Sequence, residues 1–534
     1  MKYIIFPCFF FVFFISQSSN WWIFLNDKSC SESIQLSKKS IDRRLSQSIL
    51  FDYYDIPICM EYINVLKKHN ISIRHQSRWL NAISINIDST SVLDDLLAYD
   101  FVKSVRPVAT MKRQQDDFLR DPVFLSPFPQ YLKSSISQYG PSFNQIDMVG
   151  GIDLHNLGFY GDNMLIAIFD AGFFGVETLP VFQNLWNNNQ IIDMYDFVDN
   201  DNDVFGGSTH GTMVLSTMGG YILDSLIGTA PEANYMLFRT ENSNSETLVE
   251  EDNWAAAAEY ADSMGVNIIN SSLGYTILYD DTLNNHSYTD MDGNSTIITI
   301  AADLAASRGM LVVNSAGNSG NNDWYYIGAP ADGDSVLAVG AVDNFGQIAS
   351  FSSRGPSSDG RIKPNICAQG LNTIVSDMDS TIRLASGTSF SSPIIAGLSA
   401  CLWGALESNG LNVNNMDIFD LIQKSAHIFD NPNDSLGYGI PNFYQAYLNG
   451  LNIIEKEQDF SFEFFPNPSQ EILTCFNETN LQFEIDIFNN MGLCLLSTRI
   501  YAGNNSIDLS NIAAGLYFIK IRGEMGCYPI VKIS

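Results

Sequence analysis

Residues 164–172 read MLIAIFDAG, a continuous apolar run that ends in an aspartate and a glycine. Three similar apolar runs follow along the chain: VNIIN at 266–270, MLVVNS at 310–315 and SVLAVGAV at 335–342. The segments between these runs have helical patterns, as in IITIAADLAASRG at 297–309. Continuous apolar strands that alternate with helices predict a parallel sheet with helices on both faces. Residues 139–450 are therefore predicted to form a doubly covered α/β domain.

The chain on either side of this domain has a different organisation. Residues 21–109 alternate strands and helices in the order βαββαβ, which is a split βαβ pattern. From residue 111 to about 138 the chain is polar, contains proline and shows no periodicity, so we expect an exposed, cleavable linker. Beyond residue 458, short alternating strands separated by turn residues predict a small β-sandwich-like domain.

The first 18 residues have the composition of a secretory signal peptide. Lys2 is followed by an apolar run over residues 3–15 and by a small polar run over residues 16–19. The apolar run is shorter than the roughly 20 residues that span a bilayer, so we expect removal near Ser18. The alternative is an N-terminal membrane anchor.

Seven cysteines remain after removal of the expected signal peptide, and none of them has metal-ligand spacing. Export from the cell permits disulfides. We expect at most a few bridges, with Cys30–Cys59 and a pair among Cys475, Cys494 and Cys527 as the plausible ones.

The charge of the chain excludes several classes of partner. The sequence contains 28 basic and 59 acidic side chains, which give a formal net charge of −31 at pH 7. Such a charge disfavours binding to nucleic acid and to anionic membranes. Residues 21–138 hold 15 basic and 13 acidic side chains, whereas residues 139–450 hold 7 and 36. The change of sign predicts a boundary near residue 138 and an electrostatic attraction between the two parts.

Four polar residues of the α/β domain have side chains suited to acyl transfer. Asp170 follows the first apolar strand, His210 opens a helix in STHGT, and Asn318 follows a strand in NSAGNSG. Ser389 lies in ASGTSFSSP before an apolar helical run, and the positive end of a helix stabilises negative charge. Each residue alone is more commonly a turn or helix-cap residue. Together they supply a carboxylate, a base, an oxyanion donor and a nucleophile.

The same four segments resemble those of a known family. IAIFDAG, STHGT, NSAGNSG and SGTSFSSP are similar in type, order and rough spacing to the motifs of the subtilisin-like serine peptidases, the subtilases. The resemblance implies a three-layer α/β/α catalytic domain. It also implies that Ser389 is the nucleophile, His210 the general base and Asp170 the residue that orients the imidazole. Asn318 and the Ser389 backbone N–H would form the oxyanion hole.

Further roles are implied by the same resemblance. The segment NSSLG at 270–274 is similar to the edge that pairs with substrate, so a peptide would bind there as an added strand. The residues implied in substrate binding are Ser272, Leu273, Gly274, Ala316 and Gly317. Met213 stands where many family members have a second histidine, which leaves the rate and the subfamily open.

The flanking domains also resemble parts of subtilases. Residues 19–138 are expected to be an inhibitor-like propeptide with its linker, which would act as an intramolecular inhibitor. Residues 458–534, with FFPNPSQEIL and IAAGLYFIKI, are similar to the C-terminal sorting domain of type IX secretion. The secretion machinery is the partner that this resemblance implies. The alternative for residues 458–534 is a plain β accessory domain.

Aspartate clusters give a weaker expectation of calcium binding. The candidates are Asp199, Asp201 and Asp203 in one cluster, and Asp290 and Asp292 in another. The first cluster is spaced as in a calcium loop, but its sixth position is Val204 and its twelfth is His210, which excludes an EF-hand. Solvated acidic loops are the alternative interpretation of both clusters. No cofactor is expected to be required, and calcium would serve only as a structural ion.

These observations predict a secreted serine endopeptidase that is made as a precursor and acts on protein or peptide substrates. One alternative is a surface binding protein on a catalytically weak or inactive scaffold of the same fold. Another is an esterase of the α/β-hydrolase class, but GTSFS at 387–391 lacks the last glycine of G-x-S-x-G. The order Asp, His, Ser along the chain also differs from the order Ser, Asp, His of that class.

Overall fold

The fold is that of a computed structural model of the 534-residue chain. The structure describes residues 19–29, 33–69, 71–108, 138–242, 249–276, 286–378, 381–457, 462–477, 482–489, 493–521 and 527–533. The predicted signal peptide and all but the last residue of the predicted linker lie outside the described residues. The chain divides into two compact units after Tyr447, and each unit is described by itself.

The N-terminal domain is a four-stranded antiparallel sheet that packs against helices. Its elements are β1 (Ser19–Leu25), α1 (Lys38–Ser46), α2 (Met60–Leu66), β2 (Ser72–Ser77), β3 (Ala82–Ile87), α3 (Val92–Leu97) and β4 (Val102–Val108). The strands lie in the order β2-β3-β1-β4. Buried side chains such as Ile23, Ile63 and Leu96 form the core between the sheet and helices α2 and α3. The predicted βαββαβ pattern is confirmed, and α1 is an additional helix that was not predicted.

The central domain is built on a seven-stranded parallel sheet in the order β13-β12-β11-β10-β5-β9-β6. Its elements are α4 (Phe143–Asp147), α5 (Gly151–Asn156), β5 (Leu165–Asp170), α6 (Gln183–Asn187), β6 (Ile191–Asp196), α7 (His210–Gly219), β7 (Tyr221–Ile222), β8 (Leu226–Ile227), β9 (Asn234–Arg239), α8 (Val249–Met264), β10 (Ile268–Ser271), α9 (Ile297–Ser307), β11 (Leu311–Ser315), β12 (Val336–Val342), β13 (Ile366–Gln369), β14 (Thr373–Ser376), β15 (Ile382–Ala385), α10 (Thr388–Ser408), α11 (Asn415–Lys424) and α12 (Phe443–Glu457). Helices flank the sheet on both faces, so the predicted three-layer α/β/α class is confirmed.

The central strands of this sheet end at a common edge. Ser271 of β10 lies beside Phe169 of β5 on one side and beside Asn314 of β11 on the other. Because these strands are parallel, the residues that follow them meet at the carboxyl edge of the sheet, where ligands of such folds bind. The sheet therefore places Asp170 and the segments after Ser271 and Ser315 close together.

Helix α10 is apolar along its length because it is a core helix. Its 21 residues are long and apolar enough to cross a membrane, but the helix is almost entirely buried. It packs against α7 and against strands β5 and β10 to β13. Its hydropathy therefore reflects burial inside the central domain.

The N-terminal domain is docked on helix α8 of the central domain through buried ion pairs. The carboxylate of Asp262 accepts hydrogen bonds from the guanidinium groups of three arginines: Arg43 at 2.5 Å, Arg44 at 2.6 Å and Arg78 at 2.6 Å. The side chains of Asp262, Arg43 and Arg44 are almost completely removed from solvent. A single carboxylate of α8 thus binds three cationic side chains of the N-terminal domain.

Helix α1 is held against α8 by these ion pairs and by a backbone hydrogen bond. The helix is capped by the Ser37 hydroxyl, and the Ser37 N–H donates to the carbonyl oxygen of Ser263 in α8 at 2.8 Å. Arg43 and Arg44 lie in the last turn of the helix. The attraction predicted from the opposite charges thus takes the form of buried contact pairs, which salt screens less than separated surface charges.

The C-terminal domain consists of two antiparallel sheets. Its strands are β16 (Phe462–Phe465), β17 (Ile472–Asn477), β18 (Phe483–Asn489), β19 (Cys494–Ile500), β20 (Gly503–Asp508), β21 (Gly515–Ile521) and β22 (Cys527–Lys532). They pair in the orders β16-β17-β20 and β19-β18-β21-β22. Buried residues of both sheets, including Leu473, Ile485 and Ile519, share one core. The predicted β-sandwich is confirmed.

The structure bears on the two expected disulfides in different ways. Cys59 is disulfide-bonded, and its predicted partner Cys30 lies outside the described residues. The bridge expected among Cys475, Cys494 and Cys527 is wrong, because every pair of the three includes Cys475 or Cys494 and both of these are thiols. Cys475 points into the sandwich core from β17, whereas Cys494 is exposed on a strand of the other sheet.

We expect Asp262→Ala to destabilise the joined N-terminal and central domains, because it removes the buried carboxylate that three guanidinium groups share. Removing one partner of a buried ion pair costs about 3–5 kcal/mol. The measurement is denaturant unfolding of the full chain carrying Ser389→Ala, so that the domains stay joined. Asp420→Ala is the matched control, since Asp420 pairs with Lys424 at the surface, where a pair contributes at most about 1 kcal/mol. Equal stability of the two variants would contradict this account.

Candidate active site

Asp170 and His210 are in direct contact at the carboxyl edge of the sheet. Asp170 is the last residue of β5, and its side chain is fully buried. Nδ1 of His210 lies 2.9 Å from each of the two carboxylate oxygens of Asp170. A carboxylate only accepts hydrogen bonds, so Nδ1 carries the proton. The other ring nitrogen, Nε2, is thereby left in the basic form.

Two glycines allow the helix that begins at His210 to approach the end of β5. Gly211 donates its N–H to the carbonyl oxygen of Gly172 at 3.1 Å, and a β-carbon at Gly211 would lie 2.5 Å from that oxygen. Gly172 has a φ of +143°, a backbone region that favours glycine. A side chain at either position would push α7 away from β5. The contact between Asp170 and His210 therefore depends on both glycines.

The electrostatic surroundings of His210 make it a stronger base. Burial acts to lower the pKa of His210, whereas the charge of Asp170 and the hydrogen bond to it raise the pKa. The net shift is upward from the ordinary value of histidine. An imidazole with a raised pKa and an unprotonated Nε2 can accept a proton from a neighbouring hydroxyl group.

Ser389 is the second residue of α10 and lies at the N-terminus of this long helix. Its hydroxyl donates a hydrogen bond to the carbonyl oxygen of Ser272 at 3.4 Å, and the residue is 6% exposed. The ring of the adjacent Phe390 lies 5.8 Å from the ring of His210, centroid to centroid. The structure thus brings the start of α10 beside the imidazole, with the Ser389 hydroxyl turned towards Ser272.

The backbone carbonyl of Ser389 has a partner from outside its helix. In a regular α-helix this carbonyl accepts from the N–H four residues later, but that residue is Pro393, which has no N–H. The hydroxyl of Ser272 donates to the Ser389 carbonyl at 3.0 Å instead. Ser272, predicted to bind substrate, therefore holds the first turn of α10 against the end of β10.

The side-chain amide of Asn318 has a fixed orientation. Its Oδ1 accepts hydrogen bonds from the Thr388 N–H at 2.9 Å and from the Thr388 hydroxyl at 3.0 Å. A backbone N–H can only donate, so the amide atom that faces it is the oxygen. Nδ2 lies 3.6 Å from the position that a β-carbon of Gly387 would occupy. Asn318 thus presents its N–H donors to the segment that leads to Ser389.

Ala316 and Gly317, which were predicted to bind substrate, connect β11 to Asn318. Both residues are buried. The N–H of Gly317 donates to the Thr388 hydroxyl at 3.2 Å, and its carbonyl oxygen accepts from a backbone N–H at 2.9 Å. The polar groups of Gly317 are therefore bound within the protein, and the loop serves as a support for Asn318.

Leu273 and Gly274, also predicted to bind substrate, follow Ser272 at the edge of the site. The carbonyl oxygen of Leu273 accepts from Asn314 Nδ2 at 3.0 Å. Gly274 is the more open residue: among the described residues, the nearest atom to a β-carbon placed there would be the Ala329 carbonyl oxygen, at 4.0 Å. The described residues therefore leave open space where a side chain of residue 274 would lie.

The aspartates predicted as calcium candidates accept hydrogen bonds from protein groups. Their partners are Arg239 for Asp199, the Asp203 N–H for Asp201, the Phe205 N–H for Asp203, Ser287 for Asp290 and Ser295 for Asp292. Within the part of the chain that the structure describes, no group of three or more His, Cys, Asp or Glu side chains could hold a metal ion. Calcium binding stays a prediction.

Two residues beside the site had not been predicted to contribute to it. No role was predicted for Thr388, yet its hydroxyl and its N–H both bind the amide oxygen of Asn318. Arg239 ends β9 and lies beside Asp170 in the neighbouring strand. The apolar run YMLF at 235–238 is the signal by which this strand could have been recognised.

Three family models match the chain. Residues 161–445 match the subtilase family, residues 20–118 match the peptidase S8 propeptide domain of Bacteroidota, and residues 463–532 match the secretion system C-terminal sorting domain. The third match, to the sorting domain of type IX secretion, indicates a protein that is secreted or held at the cell surface.

Curated relatives are similar to the central part of the chain. The thermophilic serine proteinase of Bacillus sp. (strain AK1) is 30% identical over 311 residues, which are 58% of this chain and 66% of the relative. Subtilisin DY of Bacillus licheniformis is 29% identical over 249 residues, 46% of this chain and 78% of the relative. The membrane-bound transcription factor site-1 protease of Rattus norvegicus is 28% identical over 307 residues, 55% of this chain and 26% of the relative.

The chain spans less than two thirds of the full length of the first and the last of these relatives. The subtilase model, by contrast, matches more than half of this chain and includes all four segments that meet at the carboxyl edge of the sheet. The chain therefore belongs to the subtilase family.

Proposed function

We propose that this protein is a secreted serine endopeptidase that is made as a precursor. The observation that carries the proposal is the contact of His210 with the buried carboxylate of Asp170, next to the helix N-terminus that holds Ser389. These three side chains are the types that acyl transfer requires, and they occur in the chain order Asp, His, Ser. Membership of the subtilase family supports the same reaction.

In the proposed reaction, Nε2 of His210 takes the proton of the Ser389 hydroxyl while its oxygen attacks the carbonyl carbon of the scissile peptide bond. In this scheme the hydroxyl first turns from the Ser272 carbonyl to the imidazole. Contacts of this kind are often long before substrate binds and shorten afterwards. His210 then donates the proton to the leaving amine, and water releases the acyl group from Ser389 by the same steps.

The negative charge of the tetrahedral intermediate would be stabilised by two donors. One is Nδ2 of Asn318, whose direction is set by the hydrogen bonds of Oδ1 to Thr388. The other is the backbone N–H of Ser389, which belongs to the first turn of α10 and has no partner within the helix. Because both donors are oriented before the reaction, little free energy is spent on turning them as the negative charge develops. They therefore stabilise the transition state more than the substrate.

Protein or peptide chains are the proposed substrates. The open space beside Gly274 supports binding of an extended peptide as an added strand at this edge. Leu273 and Ser272 would line this edge, while Ala316 and Gly317 would act mainly by supporting Asn318. The protein groups in this scheme are the side chains of Asp170, His210, Ser389 and Asn318 and the backbone N–H of Ser389. Calcium would serve only as a structural ion.

We propose four segments for the precursor: a signal peptide over residues 1–18, a propeptide with its linker over 19–138, a peptidase domain over 139–450 and a sorting domain over 458–534. The buried ion pairs on α8 support an inhibitor that is bound before it is cleaved. The secretion machinery would be the partner of the sorting domain.

Ser389→Ala is expected to abolish hydrolysis of casein and to leave the precursor uncut, because loss of a triad nucleophile lowers the rate by a factor of order 10⁶. Ser399→Ala is the matched control. Ser399 lies in the same helix, and its hydroxyl binds the carbonyl of Ile395. The measurements are the rate of casein hydrolysis and the size of the chain on a denaturing gel.

Casein hydrolysis by the Ser389→Ala variant would contradict the proposal. A wild-type chain that cleaves neither casein nor itself would favour the binding protein on an inactive scaffold. A wild-type chain that cleaves simple esters but no peptide would favour the esterase.

The pH dependence of kcat/KM tests whether Asp170 raises the pKa of His210. The base acts in its neutral form, so kcat/KM rises as pH rises through the pKa of His210, which Asp170 holds above the ordinary value of about 6.5. Asp170→Asn removes the raising charge and leaves burial, so the midpoint of the acid limb should fall and kcat should drop by about 10⁴. Asp420→Asn, at an exposed carboxylate, is the control for a general charge effect. A midpoint that is the same in both variants would show that Asp170 does not act on His210.

A further inference from the structure

Asn318 lies between two residues that are both bound by Ser353. The N–H of Ser353 donates to the carbonyl oxygen of Gly317 at 2.9 Å. The hydroxyl of Ser353 accepts a hydrogen bond from the N–H of Ser319 at 3.0 Å. One fully buried residue therefore holds the chain immediately before and immediately after Asn318.

Ser353 also fills the space beside Gly317. Gly317 has a φ of +103°, and a β-carbon there would lie 2.8 Å from Oγ of Ser353. On its other side, Gly317 donates its N–H to the Thr388 hydroxyl at 3.2 Å. The loop that carries Asn318 is thus held between Ser353 and the first turn of α10.

We infer that Ser353 is a positioning residue for the oxyanion hole: its hydroxyl fixes the backbone from which Nδ2 of Asn318 is directed at the developing oxyanion. The inference rests on the proposed peptidase function. Its physical basis is that oxyanion donors act only over a narrow range of distance, and a misplacement of about 1 Å can cost about 10²-fold in rate. Loss of the hydroxyl would leave the Ser319 N–H buried without its acceptor, and the loop would shift to restore a partner.

The test compares Ser353→Ala with Ser352→Ala. Ser352 is equally buried, and its hydroxyl accepts from the N–H of Ala341 in β12 at 3.0 Å. Each substitution removes one buried acceptor, so both should lower the thermal midpoint by a similar amount. Ser353→Ala should in addition lower kcat on a peptide substrate by about 10- to 100-fold with KM little changed, whereas Ser352→Ala should keep kcat near that of the wild type.

The same substitution is then measured in the Asn318→Leu background. Asn318→Leu alone should lower kcat by about 10²–10³. Ser353→Ala should add no further loss, because the donor that it positions is absent and the two effects are coupled. An equal loss in both backgrounds would overturn the inference, since the effect would not pass through Asn318. A change in KM alone, or an unchanged kcat, would also overturn it.

Failure of the proposed function gives a different result. Wild type and Ser352→Ala would then show no hydrolysis that depends on Ser389, which would overturn the function and the inference together. Failure of the inference alone leaves both of these chains active and gives Ser353→Ala one of the three results just named: an equal loss of kcat in both backgrounds, a change in KM alone, or an unchanged kcat.

Discussion

Parallel pairing of β5 with β9 and β10 is the constraint on which the candidate site depends. It brings the end of β5, with Asp170, beside the residues that follow β10 and β11. Helices α7 and α10 begin at the same edge and pack against each other, which brings His210 and Ser389 to Asp170 and Asn318. A side chain also replaces one missing backbone donor. Because Pro393 has no N–H, the hydroxyl of Ser272 donates a hydrogen bond to the Ser389 carbonyl oxygen. The site is therefore a set of loop residues held by the hydrogen bonds of a rigid sheet and two core helices.

Two of the acidic residues of the central domain lie on α8 and bind the N-terminal domain. Asp262 is buried under three arginines of the N-terminal domain, so its charge is neutralised only while that domain is bound. Asp252 lies on the same helix and accepts hydrogen bonds from Trp22 and Ser84 of the N-terminal domain. Burial raises the pKa of Asp252 to about 7, although Arg74 and these hydrogen bonds act against the shift. Removal of the N-terminal domain would return these carboxylates to water, which favours their charged forms and a soluble, strongly negative product.

The features that could be predicted from the sequence are those that depend on local patterns of residues. Apolar runs that end in Asp170 or precede Asn318 indicate strands of a parallel sheet and the edge at which polar residues gather. Helix α1 could not be predicted in this way, because KKSIDRRLS has few apolar residues and Arg43 binds an aspartate 219 residues away. The amide orientation of Asn318 and the position of Ser353 likewise depend on contacts with distant segments. The disulfide expected among Cys475, Cys494 and Cys527 was wrong because spacing does not show which sheet a strand joins.

The central claim is that Asp170 and His210 activate the hydroxyl of Ser389 at this edge of the sheet. Covalent labelling tests it most directly: the processed protein is treated with a fluorophosphonate, which reacts with activated serines, and the modified peptide is identified by mass spectrometry. The account predicts a single adduct on Ser389 in the wild type, and none in a His210→Ala chain whose N-terminal domain has been removed in trans by the wild-type enzyme. An adduct on another serine, or an unlabelled Ser389 in a processed and folded chain, would contradict it.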